Sequence, residues 1–104
     1  MNLDCLKVEI SAENREQADT IINALLGRRL VTGGQFLESP ARFLWQGEIV
    51  DMGYVTTTSF TLEQHREEIV RVVKDNSVED VPMIAFFAFT PNRELADWIK
   101  STVC

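Results

Sequence analysis

The run Pro40 to Phe60, PARFLWQGEIVDMGYVTTTSF, is rich in β-branched and aromatic residues and reads as strand almost throughout. Extended, it would reach about 70 Å at roughly 3.3 Å per residue. A globular domain of this length has a radius of gyration near only about 13 Å. The ribbon therefore has to fold back. Gln46–Gly47 is the expected turn, because glycine accepts the positive φ that a tight hairpin requires. The strand that enters the turn is expected from Leu30 to Trp45, interrupted by Gly33–Gly34 and Pro40, and the return strand from Glu48 to Phe60. Pro40 cannot donate to a ladder and marks an edge, a bulge or a bend. The return strand alone still spans about 40 Å, so its tip stands beyond one domain.

The chain of 104 residues fits a single domain, 1–104, and its 45% hydrophobic content suffices for a core without disulfides or metal. Sixteen acidic against ten basic side chains give a net charge of −6. No cluster of Lys or Arg is long enough to follow a phosphate backbone, so nucleic acid is not an expected partner. Met1–Ile10 is charged and strand-like rather than secretory, and no window approaches a membrane span. Membrane is therefore not an expected partner either, and the cytoplasm is the expected compartment. Cys5 and Cys104 match no zinc or redox spacing. Cys5 reads as a small core residue and Cys104 as a thiol of the tail.

Leu3, Leu6, Val8 and Ile10 alternate as a first strand, after which Ser11 is placed to cap a helix. That helix carries Ala18, Ile21, Ile22, Leu25 and Leu26 on one face and ends near Arg28–Arg29. Thr61 and Gln64 have capping-box spacing ahead of a second helix with Leu62, Ile69, Val72 and Val73 inward. MIAFFAF after Pro82 is fully apolar and is expected inside a sheet. Thr90 and Pro91 open a last helix whose Leu95, Trp98 and Ile99 share a face. The predicted order β-α-β-β-α-β plus a terminal helix is an α+β, ferredoxin-like fold with an antiparallel sheet and a long hairpin.

His65, the single histidine, sits at the border of the second helix's apolar stripe. No nucleophile or orienting carboxylate stands near it in sequence, and it reads as a boundary residue with one hydrogen bond. Glu79 and Asp80 are adjacent carboxylates; with Glu48 or Asp51 they would make a weak site for a divalent cation such as Mg²⁺ or Ca²⁺. No cofactor is otherwise implied. Phosphate loop, dinucleotide fingerprint, CxxC pair, nucleophile elbow and HExxH are all lacking, so no enzyme is expected.

RRL at the end of the first helix, WQGEI at the hairpin turn, VPMI before the last strand and LADWI in the terminal helix together resemble the CutA divalent-cation-tolerance family. The resemblance covers roughly Val8 to Val103. It implies a homotrimer, similar in architecture to the PII signal proteins, that serves in metal-ion tolerance without catalysis. Phe43 and Trp45, with Leu44, would be apolar surface covered by neighbouring subunits.

The chain departs from the family where metal ligands are expected. Val31–Thr32–Gly33–Gly34 lacks the family's cysteine, and Ser77–Val78–Glu79–Asp80 lacks its histidine and tyrosine. Phe60 replaces a lysine that often ends the return strand. Transition-metal binding is accordingly expected to be weak. Where the family has mainly aliphatic residues, this chain has Thr56, Thr57, Thr58 and Ser59. With Tyr54 they form a hydroxyl-rich strand suited to a small polar ligand between subunits, as in a PII-like sensor.

Overall fold

The computed structural model describes residues 4–103. The elements are β1 (Cys5–Ala12), α1 (Arg15–Gly27), β2 (Gln35–Trp45), β3 (Glu48–Leu62), α2 (Arg66–Asn76), β4 (Ile84–Ala88) and α3 (Arg93–Val103). The sheet order is β2-β3-β1-β4, with every neighbouring pair antiparallel. This is the expected ferredoxin-like α+β architecture. The parts assigned to Leu3 and Cys104 lie outside the described residues.

Strand periodicity divides the sheet into two unequal faces. Val8 and Ile10 point to one side, where Ile21, Ile22 and Leu25 of α1 and Ile69, Val72 and Val73 of α2 close over them. The other side takes α3 at one end, where Ala96, Ile99 and Val103 bury against Cys5 and Leu62. Beyond that end none of the described helices covers the second face, and there Thr56 stands opposite Ser11. Ile69, Val72 and Val73 are buried on α2 as their spacing predicts, whereas Leu62 does not belong to that helix: it ends β3 and is buried against α3 on the other side of the sheet.

Several boundaries differ from the sequence reading. Ser11 does not cap α1. It remains in β1, with its amide donating to the Met83 carbonyl (3.1 Å), and Asn14 is the cap, its side chain accepting from the Gln17 amide (2.9 Å). Leu30 and Val31 are buried but not in a strand, and β2 begins only at Gln35. Thr61 has capping-box spacing to Gln64, yet it lies in β3, where its buried hydroxyl donates to the Leu30 carbonyl (2.6 Å). A 3₁₀ turn over Glu63–His65 intervenes before α2. β3 therefore runs two residues beyond Phe60.

β4 is an edge strand rather than an interior one. Its apolar run does not report burial on both faces: Ile84 and Phe86 pack toward the helices, while on the other face Phe87, opposite Lys7, remains 37% exposed. At α3 the register is also displaced. Asn92 accepts from the Ala96 amide (3.0 Å), so the helix opens after Asn92 and not at Thr90–Pro91. Trp98 is turned to solvent, 49% exposed, while Ala96 and Val103 join Ile99 inward.

Gln46 (φ 51°) and Gly47 (φ 82°) form the hairpin turn, both in the left-handed region that a two-residue connection with the right twist demands. Pairing runs without slippage from Trp45↔Glu48 to Gln35↔Thr58, with Pro40 opposite Gly53 on the edge strand. β1 joins β3 only from Val55 onward. Residues 48–54 thus pair with β2 alone, as a two-stranded ribbon leaving the body. The molecule measures 44 × 24 × 21 Å, and its radius of gyration of 14.3 Å exceeds the roughly 13 Å of a globular chain this long.

Candidate functional site

Between the uncovered face of this ribbon and the loop ahead of β4 lies a cleft of about 610 Å³. This is within the range of small-molecule sites. One wall is the ribbon, contributing Phe43, Trp45, Val50, Met52, Tyr54 and Thr56. The opposite wall is the loop from Val78 to Met83, with Glu79 and Asp80. Ser11 and Glu13, at and just beyond the end of β1, close the floor.

The alternation of β3 decides which hydroxyls reach this space. Tyr54 and Thr56 are on the open face. Thr57 points to the helix side, where it is buried and donates to the Ile10 carbonyl (3.3 Å). Ser59, on that same side, donates to the Gly33 carbonyl. Thr58 shares the open face, opposite Glu9 and Gln35, but does not line the cleft. Of the residues singled out in the sequence, the cleft brings together Tyr54, Thr56, Phe43, Trp45, Glu79 and Asp80.

Glu79 is the centre of the polar contacts. The Tyr54 hydroxyl donates to its Oε1, and the Ser11 hydroxyl is 3.4 and 3.5 Å from its two oxygens. Ser11 Oγ in turn accepts from the Met83 amide (2.9 Å), tying the loop to the end of β1. The Glu79 amide donates to Ser77 Oγ (3.1 Å), a local turn that orients the loop. Phe43 stacks on Tyr54 with ring centroids 6.0 Å apart. Ser11 and Glu13 carry no sequence signal for this site; Ser11 is legible only once β1 is paired with β3.

Burial, followed by the bond to and charge of Glu79, pushes the Tyr54 phenol up to about 12. Tyr54 is the only tyrosine, so absorbance titration of its phenolate reads this group alone. It is expected to ionise near pH 12 rather than near 10, and Glu79→Gln should bring it down. The sign for stability follows. The folded state holds the proton more tightly, so this contribution is complete below pH 10 and is lost as pH rises from 10 through 12.

His65 lies apart from the cleft, with Nε2 bonded to the Val103 carbonyl. A carbonyl only accepts, so Nε2 carries the proton and the ring ties the start of α2 to the end of α3. Glu48 and Asp51 do not join Glu79 and Asp80: Glu48 is beside the turn, and Asp51 pairs with Arg42 at 2.6 Å. Among the described residues, no three of His, Cys, Asp and Glu come together in a group that could hold a metal ion. No helix among them is long and apolar enough to cross a membrane.

The fold defines a ferredoxin-like α+β protein with an over-long hairpin. The sequence matches the family description "CutA1 divalent ion tolerance protein" over residues 6–102, and the chain belongs to that family. Among solved structures, the divalent cation tolerance protein CutA1 of Thermus thermophilus is 25% identical at a TM-score of 0.90, covering 96% of this chain and 99% of that one. The periplasmic divalent cation tolerance protein CutA of Archaeoglobus fulgidus is 24% identical at 0.91, with 95% and 98% covered. CutA of Synechococcus elongatus superposes at 0.92 with only 12% identity, covering 99% and 93%. The fold therefore persists where most side chains have changed. No curated protein matched the sequence.

Proposed function

We propose that this CutA1-family protein works as a non-catalytic cytoplasmic homotrimer in divalent metal-ion tolerance, with only weak direct affinity for transition metals. The observation that carries the reading is the two-stranded ribbon. A lone hairpin is marginal in water, and this one presents Leu44 at 73% and Ile49 at 71% exposure near its tip, beside Phe43 and Trp45. Two neighbouring copies offer cover for that surface, and three-fold closure leaves no end uncovered. Cys5, wholly buried as a free thiol, suits a reducing compartment.

Light scattering at micromolar concentration is expected to return three chain masses; a monomer would sink the assembly. Calorimetry with Cu²⁺ is expected to give weak, non-stoichiometric heats, because the family's thiol and imidazole positions are Gly33 and Ser77 here. Tight stoichiometric binding that survives removal of Cys5, His65 and Cys104 would contradict this.

A second reading, that of a PII-like sensor, is favoured by one specific observation. Tyr54 and Thr56 line an open cleft together with both carboxylates of the loop. In a trimer this cleft would lie between subunits, because Phe43 and Trp45 of its ribbon wall are among the residues that neighbours would cover.

A further inference from the structure

All of the charge in the cleft has one sign. Glu13, Glu79 and Asp80 line it, and no Lys or Arg does. Five salt bridges are formed among the described residues, and none involves these three carboxylates. Glu79 is instead held by two neutral hydroxyls, which orient its oxygens without cancelling their charge. A half-buried carboxylate supported only by neutral donors leaves its electrostatic demand unmet.

Apart from the hydroxyls of Ser11, Tyr54 and Thr56, the remaining side-chain surface is carbon and sulfur: the rings of Phe43, Trp45 and Tyr54, and the side chains of Met52 and Met83 among them. Such walls cannot replace the hydration shell of Mg²⁺, or supply the six or more oxygen ligands, in round terms, that Ca²⁺ takes. They can accept a cation that carries its own carbon. Aromatic faces attract an alkylammonium through the ring quadrupole while burying its methylene or methyl groups.

We propose that the cleft binds a small organic ammonium ion, its charge directed at Glu79 and Asp80 and its carbon body set against Phe43, Tyr54 and Trp45. This rests on the second reading above, that the cleft is a ligand site, and it names the ligand's chemical class. Thr56, beside Tyr54 on the same face, supplies a hydroxyl for a polar group on the ligand's far end.

The full chain is titrated by calorimetry with choline and putrescine as ammonium probes. The controls are 3,3-dimethylbutan-1-ol, which has choline's shape without its charge, and ATP as an anion. Saturable binding of at least one ammonium probe is expected, one per chain, with the neutral analogue at least about tenfold weaker. Glu79→Gln and, separately, Asp80→Asn should each reduce affinity about tenfold or more, and Phe43→Leu about fivefold. Thr58→Val, outside the cleft on the same strand, should leave it unchanged.

Asp80 is exposed and makes none of the contacts that hold the loop, so its variant remains informative if Glu79→Gln alters the fold. Equal binding of the neutral analogue, preferential binding of ATP, or indifference to both carboxylate variants would overturn the proposal. So would failure of both ammonium probes at about 10 mM. Light scattering on the same samples separates the causes. A trimer that binds no ammonium refutes the ligand class alone; a monomer that does bind refutes the assembly and keeps the ligand class.

Discussion

Replacing Trp45 by aspartate is expected to dissociate the proposed trimer at micromolar concentration while leaving each chain folded. Trp45 belongs to the last pair before the turn, Trp45↔Glu48, far from the clusters that hold β1, α1 and α2 together. It is 38% exposed in the single chain, so its remaining apolar surface is what a neighbour would cover. A carboxylate placed there and left without a partner costs at least about 2 kcal/mol to desolvate. Closed symmetry repeats that cost at three equivalent sites. Light scattering should therefore fall from three chain masses to one, with far-UV circular dichroism unchanged, and Trp45→Phe should remain trimeric. A trimer indifferent to the aspartate would remove Trp45 from the interface.

The second large effect belongs to the body of the domain. Ile10 is 1% exposed on β1, the strand that pairs with both β3 and β4, and it lies under α1 and α2. Ile10→Ala removes most of a side chain that is covered by packed neighbours, so the cavity cannot collapse easily. The expected loss is about 2–5 kcal/mol. For a domain of this size that corresponds to a fall in Tm of more than about 10 °C at fixed chain concentration. Ile10→Val should lose about 0.5–1.5 kcal/mol. A change of under about 2 °C for the alanine variant would mean that this contact is not central to the core.

These two residues also mark what is legible in the sequence. Ile10 and its helical partners announce themselves through alternation along the strand and helical spacing in α1 and α2, and the turn at Gln46–Gly47 through its need for positive φ. Local chemistry is enough for both. Where a residue has two local uses, its neighbours in sequence offer no means of choosing. Ser11 and Thr61 both have the chemistry of helix caps, yet each spends its hydroxyl on a long-range contact, Ser11 with Glu79 and Met83, Thr61 with Leu30. Likewise the apolar run of β4 announces a strand but neither its place at the edge nor its open outer face, because sheet order and helix cover depend on which elements find one another. The cleft is legible only in pieces. Tyr54 and Glu79 are 25 residues apart, and nothing in the local pattern of either points to the other.

Pro40 bears on how such a chain avoids the wrong company. An eleven-residue edge strand beside an equally long partner stretch is a ready template for indefinite stacking of identical ribbons. Proline is tolerated on an edge where its missing amide hydrogen would face away from the partner strand, which removes a donor from the middle of the outward row. Glu38 and Arg42, two residues to either side, put charges of opposite sign along the same stretch. An in-register fibril would have to stack each of these on its own kind and leave a carbonyl without its donor at every layer. The ribbon can thus stay long and apolar at its tip while its midsection resists amyloid growth.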